Sequence, residues 1–289
     1  MSWYIYALLA VAIGSFGAIC QKWALNLKVN RTKFLVTVFS GLLILYFFYG
    51  FSELKTIVHG PDRLTFILWG LLIAALSMIG NLAGLKAYRQ SPNPGYVQAV
   101  TSTNAILILI SAAILFGSPI NLHKIFGVFL VLIGLWPLIG KFSIKKDGAW
   151  QLPSIIAMLA YGAMLLVVKE MAILGFGSAP ILTILFFFAT IGFWLLYLLE
   201  KPKAQAISKI VIIPIILYII IAFVANLANF IAIALAPNAG YVASVGNSSI
   251  ILVLILSVIF FPKEEGGEFN LAKWLGALLI ISGVILTII

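Results

Sequence analysis

Apolar residues run along this chain in ten stretches, at about 3–21, 33–51, 66–88, 94–116, 122–140, 150–170, 178–199, 208–235, 239–261 and 271–289. Each is near the roughly 20 residues that a helix needs to cross a bilayer. The stretches between them are mostly short and hold most of the charged residues. The pattern predicts an all-α integral membrane protein of ten transmembrane helices, with almost no chain left for a soluble domain. The first stretch begins at Trp3 with no basic segment before it, and Lys22 arrives only after a full span. It therefore reads as a span rather than a removable signal peptide.

The stretches repeat. Asn81-Leu82-Ala83 … Pro92-Asn93-Pro94-Gly95-Tyr96-Val97 returns 145 positions later as Asn226-Leu227-Ala228 … Pro237-Asn238-Ala239-Gly240-Tyr241-Val242, and residues 81–116 and 226–261 agree at 16 of 36 positions. Both copies continue into Asn-Leu-x-Lys-x-x-Gly, at Asn121–Gly127 and Asn270–Gly276. The chain divides into repeats at 1–140 and 148–289 within one membrane domain. Five helices is an odd number, so the copies must face opposite ways, the inverted-repeat layout of many secondary transporters.

Charge supports the inversion. Numbering loops by the helix they follow, the odd loops hold Lys28, Arg31, Lys33, Arg89, Lys141, Lys145, Lys146, Lys201, Lys203, Lys209, Lys263 and Lys273, and the even ones hold Lys55, Arg63 and Lys124. The positive-inside rule puts the odd loops in the cytoplasm and both termini outside, in a plasma-membrane protein. The loop after the first helix is basic, while its counterpart at 171–177 has no Lys or Arg, as expected for opposite faces.

Composition narrows the function. Hydrophobic residues make up 63% and charged ones 9%, with a pI near 9.7. The basic residues are strung along inter-helix loops, which suits anionic headgroups rather than nucleic acid. Cys20 is the single cysteine, which excludes intrachain disulfides and thiolate metal sites. His59 and His123 are read in loops with no Cys or carboxylate cluster, so no metal is expected. No phosphate-binding glycine loop occurs, so ATP-driven pumping is not indicated. No nucleophile–base–acid set is present either, and the chain does not read as an enzyme. No cofactor is implied. No Asp or Glu falls in the middle of any span, which leaves proton coupling without an obvious carboxylate.

Intramembrane polar residues mark cavities or helix contacts. Gln98, Thr101 and Ser102 share one face of the fourth helix by their i, i+3, i+4 spacing. Ser244, Asn247 and Ser248 repeat that spacing in the ninth, with Asn247 in register with Ser102. These stripes line a central site, or else serve as interhelical hydrogen-bonding surfaces. Asn81 and Asn226 match in the third and eighth helices, with scaffold and substrate roles both open. Aligning Trp3 with Trp150 brings Lys22 and Lys169 to the same offset. Each is read as a partner for an anionic solute or as a lysine snorkelling to headgroups. Tyr161, in the middle of the sixth helix, is a candidate for stacking on a ligand. Tyr96 and Tyr241 are read first as interfacial or hairpin-locking residues. Lys86 and Arg89 beside Tyr88 read as interfacial, with a gate as one role.

The duplicated layout and both copies of Pro-x-x-Gly-Tyr … Leu … Phe resemble the drug/metabolite transporter superfamily, in particular its ten-helix EamA-like branch. Each half is also similar to a small multidrug resistance subunit with an added helix, through Tyr4-Ile5-Tyr6 … Gly17 … Lys22. Gly14 stands where that family has its proton- and drug-binding glutamate. The glutamate common after the fourth helix of an EamA half is matched by Glu264 or Glu265 in the second half, whereas Gly117-Ser118-Pro119 lacks it. The resemblance implies alternating access around a site near the bilayer midplane where the fourth and ninth helices meet. It allows a homodimer without requiring one. The expectation is a secondary carrier exporting or exchanging a small polar metabolite, such as an amino acid, with membrane lipid as its surroundings. A flippase for a lipid-linked precursor and a non-transporting scaffold are the alternatives.

Overall fold

The computed structural model describes residues 2–26, 30–91, 94–139, 148–200, 209–260 and 271–289. Pro92, Asn93, Glu264, Glu265 and the loop lysines at 28, 141, 145, 146, 201, 203 and 263 lie outside the described residues, as does the side chain of Tyr96. The described chain is helical throughout, with no strand. Its helices are α1 (Trp3–Asn26), α2 (Arg31–His59), α3 (Arg63–Gln90), α4 (Pro94–Ser102), α5 (Asn104–Phe116), α6 (Leu122–Ile139), α7 (Gln151–Ile173), α8 (Ser178–Glu200), α9 (Lys209–Leu235), α10 (Ala239–Asn247), α11 (Ser249–Phe260) and α12 (Leu271–Ile288). Helices α4 and α5 together make the fourth span and α10 and α11 the ninth, which gives ten. Eight helical stretches among the described residues have the length and apolarity to cross a membrane, and shorter apolar helices fill 100–116 and 122–137.

Two edges differ from the hydropathy reading. Helix α2 continues past its apolar run to His59, carrying Glu53 and Lys55 on extra turns. His123 lies in the first turn of α6 rather than in a loop. A helix needs only its backbone bonds, so it can continue beyond the point where its side chains cease to suit lipid.

The fourth and ninth spans are each interrupted, at Thr103 and Ser248, which are equivalent positions in the two repeats. Apolarity alone predicts unbroken helices here; the cause is local hydrogen bonding. The Thr103 hydroxyl donates to the Val100 carbonyl at 2.7 Å, and the Ser248 hydroxyl to the Val245 carbonyl at 2.6 Å. Hydroxyls that reach back to a carbonyl compete with the helical ladder. The backbone tightens to i→i+3 bonds, Thr103 N–H to Val100 and Ile106 N–H to Thr103, mirrored by Ser248 to Val245 and Ile251 to Ser248. Such 3₁₀ turns inside a span are a common form of hinge.

Packing follows a pseudo-twofold relation. Helix α1 packs on α9 and its counterpart α7 on α3, while α2 packs on α8, α6 on α12, and α10 on the fourth span. Without a hydrophobic force between helices in lipid, close backbone approach at small residues must hold them. A Cβ on Gly127 would stand 2.6 Å from Thr287 Oγ1 and 2.7 Å from the Gly283 carbonyl, and one on Gly134 would stand 2.6 Å from the Gly276 carbonyl. These four glycines, seven apart in each helix, meet in reversed order, so α6 and α12 run antiparallel. The fourth and ninth spans do the same. Asn238 Nδ2 reaches the Leu109 carbonyl (3.1 Å), whereas Asn247, nine residues on, reaches Ser102 (2.9 Å). The Gly95–Tyr96 and Gly240–Tyr241 turns therefore lie at opposite ends of the bundle, as inverted repeats require. Between α2 and α8 sits an aromatic core in which Tyr46 stacks on Phe186 (5.3 Å) and Phe39 meets Phe193 edge-on (4.7 Å).

Candidate functional site at the crossing of the fourth and ninth spans

The breaks create the polar centre of the molecule. Because the Ile106 N–H turns to Thr103, the Ser102 carbonyl is released from the helical ladder. It accepts the Asn247 side-chain amide at 2.9 Å. Ser102 and Asn247 occupy the same position in the two repeats, so this bond lies on the pseudo-twofold relation itself. Both are buried. On the other repeat, the Ser249 carbonyl just past the break is approached by the Ser15 hydroxyl of α1 at 3.4 Å.

From Ser102 a hydrogen-bonded chain leads towards α3. Gln98 Nε2 donates to Ser102 Oγ at 3.5 Å, and Tyr88 OH donates to Gln98 Oε1 at 3.0 Å. Gln98, Ser102 and Asn247 are thus brought together, with Tyr88 of α3 as a fourth member that helical spacing within the fourth span does not reveal. Gln98 is half-buried, leaving part of its amide accessible. Ser244, one turn before Asn247, has a buried hydroxyl with no hydrogen-bond partner among the described residues.

The other expected site residues go elsewhere. Thr101 bonds its own helix through the Val97 and Gln98 carbonyls at 3.0 and 3.1 Å, and Ser248 bonds Val245. Both act on local helix geometry. Tyr161 packs across α3, where Gly80 and Gly84 make room for its ring; a Cβ on Gly80 would come within 2.7 Å of it. One side of the ring is therefore taken by protein. Lys169 Nζ donates to the carbonyls of Ile233, Ala234 and Ala236 at 3.3, 3.2 and 2.6 Å, closing the carboxyl end of α9. These carbonyls lie before the start of α10 and Asn247 closes it, so the ammonium and the crossing stand at opposite ends of that helix. Lys22 is half-buried near the end of α1. The matched asparagines serve neighbours: Asn81 donates to the Ser77 carbonyl at 2.8 Å, and Asn226 lies beside the Tyr46 hydroxyl, which donates to Phe223.

Tyr241 has a structural partner set of its own. Its buried hydroxyl donates to the Pro119 carbonyl (3.2 Å) and accepts from the Asn121 N–H (3.1 Å), tying the start of the ninth span to the turn between the fourth and fifth. Lys124 lies 5.6 Å from its ring and reaches the last carbonyls of α12. Away from this centre, a groove of about 320 Å³ lies between α3 and the start of α7, lined by Ala83, Lys86, Ala149, Leu152, Pro153 and Ile156. Among the described residues no cluster of His, Cys, Asp or Glu could hold a metal ion.

Comparison with known proteins agrees with this architecture. A crystal structure of another protein superposes with a TM-score of 0.75 over 98% of this chain and 96% of that one, at 14% identity, a likeness of fold alone. No curated protein matches the sequence. Residues 1–139 match the EamA-like transporter family. That match covers the first five spans, just under half of the chain, and is consistent with a membrane transporter of the drug/metabolite transporter type.

Proposed function

We propose that this transporter carries a small polar metabolite, an amino acid or a related organic solute, by alternating access between its two inverted repeats at 1–140 and 148–289. The observation that carries the reading is the hydrogen-bonded chain Tyr88–Gln98–Ser102–Asn247 at the crossing of the fourth and ninth spans. An uncharged amide and hydroxyl surface of this kind exchanges hydrogen bonds with a polar solute at little cost, since each bond lost to protein is regained from cargo. The hinges at Thr103 and Ser248 flank the same point, so movement of either half-span would remake the chain.

Export or exchange follows without proton coupling, because no carboxylate stands in the middle of a span. The loop charges support both termini lying outside a plasma membrane. The test is counterflow in proteoliposomes preloaded with candidate amino acids. Uptake stimulated by trans cargo and indifferent to a protonophore is expected; uptake that collapses with the protonophore and ignores trans cargo contradicts the mechanism.

A second reading, flipping of an amphiphile with an anionic headgroup, is favoured by the groove between α3 and α7 with Lys86 on its wall. An ammonium beside apolar walls suits a phosphate carried on acyl chains. Headgroup translocation that fails in Lys86→Ala while counterflow of polar solutes is undetectable in the parent would shift the assignment to this reading.

A further inference from the structure

Three tyrosines on three different helices turn towards one another inside the bundle. Tyr88 belongs to α3, Tyr161 to α7 and Tyr218 to α9, and Tyr161 has the other two hydroxyls as its electrostatic neighbours. Glycines set the two further rings. The Tyr161 ring lies against Gly80, and its hydroxyl is 3.7 Å from where a Cβ on Gly84 would stand. The side chain thus runs along α3 towards Tyr88, about one turn further on. Tyr218 lies 3.7 Å from the place of a Cβ on Gly17 of α1, and its ring packs at 5.8 Å on the buried Phe34 of α2. Gly162, the residue after Tyr161, packs against Asn104 just past the break of the fourth span, with 3.7 Å between the place of its Cβ and Asn104 Cβ. Tyr161 therefore stands at the depth of that break, and Tyr88 bonds Gln98 of the crossing at 3.0 Å.

Protein does not use up these hydroxyls. Among the described residues those of Tyr161 and Tyr218 make no hydrogen bond, yet neither is sealed from water as the unpartnered hydroxyls of Thr190 and Ser244 are. Tyr88 keeps 40% of its surface exposed, and Gln98 is half-buried. Two phenol O–H donors therefore face an accessible interior space, where a solute can complete them. No Asp or Glu stands in the middle of a span, so a cation entering here finds no counter-charge. A carboxylate instead accepts charge-assisted O–H bonds, each roughly twice as strong as a neutral one. Tyr88 has its proton on Gln98 and holds that amide in place. We infer that Tyr161 and Tyr218 form a carboxylate clamp, gripping the acid group of the cargo while Gln98 meets its other polar groups.

The clamp rests on the carrier reading proposed above and names the acid end of its cargo. Its test is a thermal-shift titration of the purified protein with the common amino acids, each beside its methyl ester and its amide. At least one free acid is expected to bind about tenfold or more tightly than its ester and amide, the factor implied by one hydrogen bond to a charged group. Tyr161→Phe and Tyr218→Phe keep the ring and remove only the O–H. Each is expected to weaken the acid about tenfold and to erase its advantage over the ester. A structural role would weaken acid and ester alike, which overturns the clamp, as does acid binding that survives unchanged in both variants. If a variant does not fold, equal affinity for acid and ester in the parent overturns the clamp by itself. Polar solutes without a carboxylate that bind in a Gln98-dependent manner would remove the clamp and leave the carrier reading in place. A parent that binds no acid, ester, amide, sugar or nucleotide would remove both.

Discussion

The antiparallel pairing of α6 with α12 makes a sharp stability prediction. Gly134 faces the Gly276 carbonyl, and an alanine methyl there would stand 2.6 Å from that oxygen and 2.9 Å from the Ile280 nitrogen. Ordinary contact begins about 0.8 Å further out, and the opposing atoms are backbone in a helix that cannot bend aside one atom at a time. The two helices must therefore separate, and the matching contact of Gly127 with Gly283 loosens with them. Overpacking of this kind costs about 1–3 kcal/mol. At roughly 2–4 °C per kcal/mol for a chain of this size, Gly134→Ala should lower the melting temperature by about 2–12 °C. Intrinsic fluorescence of the detergent-purified protein reads the transition, with Trp136 and Trp274 on the affected helices. Gly117→Ala is unsuitable as a comparison because its positive φ adds backbone strain; Gly246→Ala is suitable, since a Cβ there meets nothing within 4 Å. A Gly134→Ala protein that melts with Gly246→Ala and the parent would refute the close antiparallel contact.

Tyr241→Phe leaves the Asn121 N–H without its acceptor and the Pro119 carbonyl without its donor, and should cost about 1–3 kcal/mol in the same melt while the ring keeps its place. Asn238→Ala removes a buried amide that both donates to Leu109 and accepts from the Gly240 N–H; a loss of similar size is expected, and no loss would contradict the seating of α10. Replacing both hinge hydroxyls, Thr103→Val with Ser248→Ala, should slow counterflow severalfold while the melting temperature changes little, the pattern of a hinge rather than a site. Epitope tags at either terminus should be reached by antibody on intact cells; staining only after permeabilisation would reverse the orientation.

The spans were legible because hydropathy alone decides where a helix can lie in lipid, and the inversion was legible because an odd number of helices separates the repeats. What hydropathy does not carry is backbone geometry inside an apolar run. The breaks at Thr103 and Ser248 were signalled only by a run of polar residues in each repeat, Thr101-Ser102-Thr103-Asn104 and Asn247-Ser248-Ser249, of which Thr101, Ser102, Asn247 and Ser248 are read as stripes facing one way. Thr101 and Thr103 in the first run and Ser248 in the second instead turn back on their own helices. Helical spacing could put Thr101 on the face of Gln98, but not say that its hydroxyl would settle on Val97. Lys169 is the clearest limit. Its equivalence to Lys22 is written in the sequence, whereas its partners are main-chain carbonyls, which no residue type records. The glycine pairs of α6 and α12 did leave a sign, a spacing of seven in both copies, and it reads correctly only once the helices are known to run in opposite directions.

A thermal-shift titration of the purified protein with amino acids, nucleotides, sugars and cationic drugs tests whether cargo binds at the crossing of the fourth and ninth spans. Binding to the folded state alone raises the melting temperature in proportion to the logarithm of ligand excess. A rise is expected with at least one class of small polar solute, lost or sharply weakened in both Gln98→Ala and Asn247→Ala and retained in Ser248→Ala. A solute whose stabilising effect survives unchanged in Gln98→Ala and Asn247→Ala would place the cargo away from the crossing of the fourth and ninth spans.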